Sequence, residues 1–472
     1  MTFVAVFLIN AALSFALSLL VALLVGPDLF GRYAVALSIS VVINTVVFEW
    51  LRLSTTRFYS ERTRAEQPEI GLTLDVAYAA SSAAVVLAGG VAIVSGADLG
   101  LPPGLLAAAA AVGLSVGIFD YRTAQARALF LDRRYAALLL TRGLLAFALA
   151  SAAAWLWTDP AAILAGSAAA AAVTLAAVRG RRDGSPPGRF DRALFSRFAR
   201  YAVPLVAASA LYQLLPLLNR TILASRAGFS EAGYFSLASE IAVRLLQNLG
   251  NALDLMLFQV AVRAEERGGA AAGHAQAARN LALVIAVIVP GAVGLCVVWP
   301  SFEALFVPPS FRGQVAGAMM LAVPAFAAYA LIQYGFNPIF QIRRRTGAVI
   351  AAALVAVAVN AAVLFAFDVP ANAGGVAAVQ LAGFAAGLMT IAALSARSSA
   401  ALPWGDVAAT IGAAAVMAAA LWPWREALHP ALGLPLQALV GVAIYGAFAI
   451  VLDIAGTRAF LRTVTKARAG IR

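Results

Sequence analysis

Two pairs of oppositely charged residues lie within runs that are otherwise as apolar as membrane helices. Glu49 and Arg52 are three residues apart in VVFEWLRLSTTRFYSE, and Glu240 and Arg244 are four apart in ASEIAVRLLQNLGNALDLM. Residues at these spacings meet on one face of a helix, so each pair can form an ion pair. A charged side chain at bilayer depth costs at least about 2.5 kcal/mol, and it therefore faces protein or water. The two pairs predict polar surfaces within the membrane.

A polar stripe continues from the second pair along the same predicted helix. Asn248, Asn251 and Asp254 follow Arg244 at steps of three and four residues, which keeps them on one helical face. A polar face of about 15 residues is too long to be a helix end, so it must line an aqueous cavity or a polar interface. A purely structural ion pair remains the alternative for Glu240.

The first pair lies on a comparable face. Ser38, Thr45 and Thr56 are spaced so that a regular helix would align them with Glu49 and Arg52. The alternative is that Arg52 extends to the cytoplasmic headgroups while Glu49 neutralises it.

The arginines within these runs suit a phosphate-bearing anion. A guanidinium group binds anionic oxygens through two parallel hydrogen bonds, and such an anion offsets the cost of a dehydrated arginine. Arg220, which shares a helical face with Gln213, joins Arg52 and Arg244 in this set. The acidic residues predicted to hold the arginines when no anion is bound are Glu49, Glu240 and Asp254. Carrying a coupling proton or cation is the alternative role of these acids.

The composition indicates a membrane protein that crosses the bilayer many times. Of 472 residues, 62% are hydrophobic and 12% are charged, and the mean hydropathy is +0.89. The formal charge of +12 does not indicate nucleic acid binding, because the basic residues lie in short segments between apolar runs. One cysteine and two distant histidines predict neither a disulfide nor a metal site, and we find no phosphate loop or nucleophile elbow. We therefore predict no catalytic residues and no cofactor.

The apolar runs predict an all-α protein with about fourteen transmembrane helices. Their approximate ranges are 3–25, 34–54, 72–96, 104–126, 136–157, 161–178, 199–222, 230–262, 278–299, 314–341, 347–367, 373–396, 405–424 and 434–455. About 27 of the 34 basic residues lie in the segments on one side of these helices and about five on the other. This asymmetry predicts that both termini are cytoplasmic.

The predicted helices form two similar halves. GRYAVALS at the start of the second helix is similar to AGYFSLAS at the start of the eighth, which indicates two six-helix lobes related by pseudo-symmetry. The predicted organisation is an N-terminal lobe at 1–178, a basic cytoplasmic linker at 179–198, a C-terminal lobe at 199–396, and two additional helices with a basic cytoplasmic tail at 397–472. Two like halves of this kind are typical of transporters.

Three segments carry a resemblance to a known family. LFGRYAVALS with LSTTRFYSE, the segment FARYAVPLVAASALYQLLPLLNRTILASRAGFSEAGYFSLASEI, and ARALFLDRRYAALLLTRGLLAF resemble bacterial polysaccharide biosynthesis proteins. These are O-antigen and exopolysaccharide flippases of the multidrug, oligosaccharidyl-lipid and polysaccharide (MOP) exporter superfamily. The chain departs from the family where Asn219 precedes Arg220, since an aspartate is common there.

The resemblance implies a two-lobed bundle, similar to the MATE transporters, in the bacterial inner membrane. Such a protein would move an undecaprenyl-pyrophosphate-linked oligosaccharide to the periplasmic leaflet by alternating access. The implied ligands of pyrophosphate or acidic sugar are Arg52, Arg220 and Arg244, with Arg57 at the cytoplasmic mouth. The implied contacts to sugar hydroxyls are Gln213, Asn248 and Asn251. The implied partners are the lipid-linked oligosaccharide, membrane lipids, a proton or cation, and other polysaccharide assembly proteins, but no nucleic acid.

Three other functions remain open. A peptidoglycan-precursor flippase and a drug or cation antiporter belong to the same superfamily, although the arginines argue against cationic drugs. A polytopic glycan polymerase or transferase is a third alternative, but every outer loop here is about 15 residues or shorter, which leaves little room for a catalytic loop. The last two helices would form a groove for a lipid tail or simply pack.

Overall fold

The computed structural model describes residues 3–60, 63, 66–94, 100–178, 188–343, 346–397, 403–459 and 462, and within these ranges the secondary structure is helical with no strand. The chain divides into two compact units. Unit 1 is Met1–Leu237 with Ala371–Ala373, and unit 2 is Ala238–Pro370 with Gly374–Arg472.

Among the described residues, seven α-helices precede the boundary between the units. They are α1 (Phe3–Ile43), α2 (Glu49–Phe58), α3 (Glu69–Val94), α4 (Pro103–Ala128), α5 (Asp132–Trp157), α6 (Pro160–Ala177) and α7 (Arg192–Ala227). The long α8 (Phe229–Phe306) begins in unit 1 and continues in unit 2. The remaining helices are α9 (Val315–Ala330), α10 (Asn337–Ile342), α11 (Gly347–Ala366), α12 (Ala373–Arg397), α13 (Trp404–Leu421) and α14 (Pro430–Val451).

Local sequence signals set several helix starts. The Asp191 carboxylate accepts the backbone N–H groups of Ala193 at 2.6 Å and Leu194 at 3.1 Å, so it caps α7. Asp159 caps α6 in the same way. A proline occupies the first helical position of α6, where its missing N–H group is not needed.

The apolar lengths agree with the predicted fold class. Among the described residues, twelve helices are long and apolar enough to cross a membrane, or thirteen when the bent pair Arg192–Pro204 and Val206–Ala227 is taken as one span. The first of the twelve, Leu8–Phe58, has 51 residues. That length corresponds to about 76 Å, more than twice the thickness of a bilayer core. The all-helical, multi-pass membrane fold is therefore confirmed.

The break between the first two predicted spans falls at Gly26. Its φ of 73° and ψ of 177° interrupt α1, and Pro27 follows at once. A positive φ suits glycine because it has no Cβ, whereas other residues pay a steric cost there. A second glycine, Gly269 with φ 74°, interrupts α8 near the predicted cytoplasmic loop.

Two segments of π-helix interrupt the regular helices. The first π segment, Asn44–Phe48, lies between α1 and α2, and the second, Leu331–Phe336, lies between α9 and α10. A π turn holds one more residue than an α turn, so it rotates the following face by roughly 100°. Ser38 therefore does not share the face of Glu49 and Arg52 as a regular helix would require, and the predicted stripe is divided at Asn44.

Aromatic packing fixes α2 in unit 1. Phe48 and Tyr78 stack with ring centroids 5.0 Å apart, and Tyr78 stacks on Tyr121 at 5.4 Å. Phe198 of α7 is fully buried in the same cluster. The helix that carries Glu49 and Arg52 is thus held by three neighbouring helices.

In unit 2, the last two helices pack on the second part of α8. Met417 and Leu421 of α13 are buried against Val297. The hydroxyl of Tyr445 on α14 donates to the backbone oxygen of Ala286 at 2.7 Å. Both contacts tie these helices to the rest of the unit.

Candidate functional site

The Glu49–Arg52 pair forms inside unit 1. Arg52 Nε donates to Glu49 Oε2 at 2.8 Å, and its Nη2 donates to the other carboxylate oxygen, so the pair is bidentate. Both side chains are partly buried. Arg57 lies in the last turn of α2 and is exposed. The guanidinium group of Arg52 is therefore held in place, while that of Arg57 is accessible.

A carboxylate that the sequence reasoning missed lies near this pair. Asn44, in the first π segment, donates to Asp120 Oδ2 of α4 at 3.2 Å. Asp120 also interacts electrostatically with Arg52 and with Arg142 of α5. The Arg142 guanidinium lies 4.5 Å from the ring centroid of Phe119. Three helices thus contribute to one charged cluster within unit 1.

A sequence signal for this cluster did exist. Asp120 is an isolated acid at the end of the apolar run GLSVGIF, and Arg142 is an isolated base in another predicted span. Isolated intramembrane charges of opposite sign are expected to pair. The spacing rules that found Glu49 and Arg52 do not apply to residues on different helices, so the pairing itself was not visible.

Arg220 is placed elsewhere in unit 1. It is only 6% exposed, and its Nη1 donates to the Ser38 hydroxyl on α1. Ser38 precedes Arg52 by fourteen residues of the same bent helix, or roughly 20 Å along its axis. Arg220 and Arg52 therefore lie at well-separated levels of unit 1. Gln213 lies two turns before Arg220 on α7 and is partly buried.

The polar stripe of α8 is present in unit 2. Arg244 Nε donates to Glu240 Oε2 at 2.9 Å, and these side chains are 29% and 16% exposed. Asn248, Asn251 and Asp254 follow on the continuous helix, and all three are partly buried. The stripe thus begins with the Glu240–Arg244 ion pair and continues with the amide groups of Asn248 and Asn251 and the carboxylate of Asp254.

Asn251 has a defined partner on the second π segment. Its Oδ1 accepts a hydrogen bond from the Tyr334 hydroxyl at 2.9 Å. The Tyr334 ring lies against Gly250, where an added Cβ would overlap the ring. Gly250 thus permits the close approach that brings Tyr334 to Asn251.

These arrangements are suited to binding an anion. In the described part of the chain, no group of three or more His, Cys, Asp or Glu residues is arranged to hold a metal ion. Each of two arginines is instead paired with a glutamate one turn earlier on its own helix. A phosphate can replace a carboxylate as the bidentate partner of a guanidinium group. Such a pair can exchange its internal acid for an anionic ligand.

Comparisons with known proteins identify the family of the chain and the fold that it resembles. The family model described as "Polysaccharide biosynthesis protein" matches residues 19–306. A solved structure of lipid II flippase MurJ in an inward closed conformation is similar to the chain, with a TM-score of 0.74, 12% identity, and 95% of this chain and 98% of that chain covered. A multidrug resistance MATE family transporter of the MOP superfamily, in an inward-facing conformation, has a TM-score of 0.56 and 13% identity, with 83% and 96% covered. No curated protein sequence matches the chain.

Proposed function

The chain belongs to the polysaccharide biosynthesis protein family, and we propose that it is a flippase for a lipid-linked oligosaccharide. The cargo class we propose is an undecaprenyl-pyrophosphate-linked O-antigen or exopolysaccharide precursor. It would cross the bacterial inner membrane without covalent change. The two predicted lobes, 1–178 and 199–396, would rock by alternating access, with both termini of the chain in the cytoplasm.

The observation that carries this proposal is the pairing of Glu49 with Arg52 and of Glu240 with Arg244 inside membrane-spanning segments. An arginine at bilayer depth is costly, and its partner on the same helix lowers that cost while no ligand is bound. A pyrophosphate offers more acceptor oxygens than a carboxylate and carries more charge. The pyrophosphate can therefore compete with the glutamate for the guanidinium group. The ion pair with the glutamate would form again after the cargo is released.

The positions of the arginines favour successive contacts with the cargo. Arg52 and Arg220 are separated by roughly 20 Å along unit 1, which is too far for one pyrophosphate to touch both. We therefore assign them to different steps, with the exposed Arg57 as the first contact on the cytoplasmic side. Arg244 is the corresponding anion ligand of unit 2.

The uncharged polar side chains would form hydrogen bonds with the sugar hydroxyls. Gln213, Asn248 and Asn251 present amide groups that can donate to and accept from hydroxyls. Asp254, beyond them on the stripe, would hold a coupling proton or cation, as would Glu49 and Glu240 while their arginines are bound to cargo.

Mass spectrometry of lipid extracts tests the proposal. Cells that carry the native gene would be compared with a deletion strain and with an Arg244→Ala strain matched in membrane abundance. We expect the same undecaprenyl-linked glycan to accumulate in both altered strains. The mass of that glycan identifies the cargo and separates an oligosaccharide from a peptidoglycan precursor.

Arg263→Ala is the matched control, because Arg263 is an exposed arginine on the same helix. This variant should leave the lipid profile of the native strain unchanged. A deletion strain that accumulates no lipid-linked glycan, in cells with no second flippase, would contradict the proposal. Accumulation of the glycan in the deletion strain but not in the Arg244→Ala strain would support the flippase function and contradict the assignment of Arg244 to the cargo site.

A further inference from the structure

Unit 2 contains a cavity that the proposed transport does not use. It has a volume of about 560 Å³ and lies where α8 ends and α9 begins. The last turns of α8, the first turns of α9 and the connection between α13 and α14 form its walls. These walls lie at the ends of helices that are long and apolar enough to cross a membrane, so we expect the cavity to open at a membrane surface. The distribution of basic residues predicts that this surface faces away from the cytoplasm.

Part of the cavity lining consists of small apolar residues, which leave room for a ligand. Pro300, Ala304, Ala316 and Gly317 line the cavity with little side-chain volume. A Cβ added to Gly317 would meet no atom within 4 Å, so open space lies directly above this helix position. A hydrocarbon chain fits these walls better than a small soluble ion does.

The lining of the cavity also carries charges of both signs. Arg312 and Arg425 contribute guanidinium groups, while Glu303 and Glu426 contribute carboxylates. Arg312 Nε donates to the Val307 carbonyl at 2.9 Å, and this contact leaves the two terminal nitrogens of Arg312 available to a ligand. These two arginines and two glutamates sum to no net formal charge, which favours a ligand that is itself zwitterionic.

The charged groups are held in position before any ligand arrives. The Arg425 guanidinium lies 3.8 Å from the ring centroid of Trp422 and pairs with Glu426 at 3.0 Å. The buried Gln437 donates to the Trp424 carbonyl at 3.0 Å and so anchors this connection. Glu303 accepts the Gly313 N–H group at 2.8 Å, which fixes the loop that carries Arg312. A preformed site of this kind loses little entropy on binding.

We propose that this cavity binds a zwitterionic phospholipid with an amine headgroup. The phosphate would lie between Arg312 and Arg425, and the ammonium group against Glu426 and Glu303. One acyl chain would follow the small residues of α8 and α9 into the membrane. This site is independent of the cargo of the flippase, and it would tie the connection between α13 and α14 to the surrounding bilayer.

Lipid binding by the purified, delipidated protein tests the site. Native mass spectrometry and thermal unfolding would be measured with phosphatidylethanolamine, phosphatidylglycerol, diacylglycerol and soluble phosphoethanolamine. We expect phosphatidylethanolamine to bind most tightly and to raise the unfolding temperature. Arg312→Gln with Arg425→Gln should weaken its binding by about tenfold or more, because charge-assisted hydrogen bonds are lost.

Two further variants distinguish the parts of the site. Gly317→Leu fills the apolar interior without removing a charge and should also displace the lipid, whereas Gly412→Leu, at an exposed helix position with open space, should not. Glu426→Gln should reduce the preference for phosphatidylethanolamine over phosphatidylglycerol.

Equal retention of phosphatidylethanolamine by wild type and Gly317→Leu would overturn the proposal, and this holds even if the double arginine variant does not fold. Stabilisation by soluble phosphoethanolamine without lipid binding would also overturn it, because the site would then take a free anion. Tighter binding of diacylglycerol than of phosphatidylethanolamine would show an apolar groove with no headgroup recognition.

Discussion

Replacing Glu240 and Arg244 by glutamine, singly and together, distinguishes a structural ion pair from a transport site. The two residues are one turn apart on α8, with Arg244 Nε 2.9 Å from Glu240 Oε2. Glutamine keeps most of the side-chain volume and removes the charge, so the packing of α8 should be preserved. In a structural pair, the two single variants are harmful and the double variant is restored. In a transport site, Arg244 is required whether or not Glu240 is present.

The magnitudes of the two effects are different enough to measure. Side-chain exposures of 29% and 16% place the pair between a solvated pair, worth about 0.3–0.5 kcal/mol, and a buried membrane hydrogen bond, worth at most about 1.7 kcal/mol. We therefore expect a coupling energy of about 1 kcal/mol in unfolding. Loss of a charge-assisted hydrogen bond to pyrophosphate costs about 1.5–3 kcal/mol, which corresponds to roughly tenfold or more in affinity.

The assay combines thermal unfolding in detergent with flipping of a lipid-linked oligosaccharide in proteoliposomes. We expect Arg244→Gln and the double variant to lose transport by tenfold or more, while Glu240→Gln retains a folded protein that binds the lipid at least as tightly as wild type. The unfolding temperatures should vary by only a few degrees. Recovery of transport in the double variant would refute the assignment of Arg244 to the cargo and leave the pair a structural role.

Three further outcomes follow from the contacts of unit 1 and from the predicted topology. Gly31→Ala places a Cβ against a backbone carbonyl at the start of α8 and should destabilise the protein by about 1–3 kcal/mol. The control Gly71→Ala adds a Cβ in open space and should not destabilise the protein, and thermal unfolding measures both variants. Asp120→Asn removes the carboxylate that interacts electrostatically with Arg142 and should lower the free energy of unfolding by about 1–3 kcal/mol in a denaturant titration, because Arg142 is left without that opposite charge; an unchanged midpoint would contradict a stabilising role for this charge pair. With the native cysteine replaced by serine, His429→Cys should react with an impermeant maleimide in intact cells and Arg189→Cys only after permeabilisation; the reverse pattern would invert the predicted orientation.

The spans could be predicted from the sequence because they depend on local composition. A run of about 20 apolar residues has few alternatives to a transmembrane helix, and the described helices agree with the predicted runs. The break at Gly26 was equally visible, since a glycine before a proline favours a turn. The Glu49–Arg52 and Glu240–Arg244 pairs followed from spacing alone. Each of these features is decided within a few residues.

Contacts between helices were not predictable in the same way. Asp120 is 76 residues from Asn44, and no periodicity within one helix relates them. The bond from Arg220 to Ser38 likewise crosses 182 residues. A single sequence gives the polarity of each helix face, but tertiary packing decides which faces meet.

The two π segments connect local irregularity with buried polarity inside each unit. Asn44, the first residue of the first π segment, donates to Asp120, and Tyr334 within the second donates to Asn251. A π turn has longer and poorer backbone hydrogen bonds than an α turn, so a helix adopts it only where other contacts compensate. In both units the compensating contact is a side-chain hydrogen bond to a neighbouring helix. In unit 1 the bond reaches Asp120, which interacts with Arg52, and in unit 2 it reaches the candidate site residue Asn251. A change of ligand that disturbs either bond would therefore also favour a return of the π turn to a regular helix. That return would rotate the residues that follow the π segment by roughly 100° about the helix axis. In unit 1 these residues include Glu49 and Arg52.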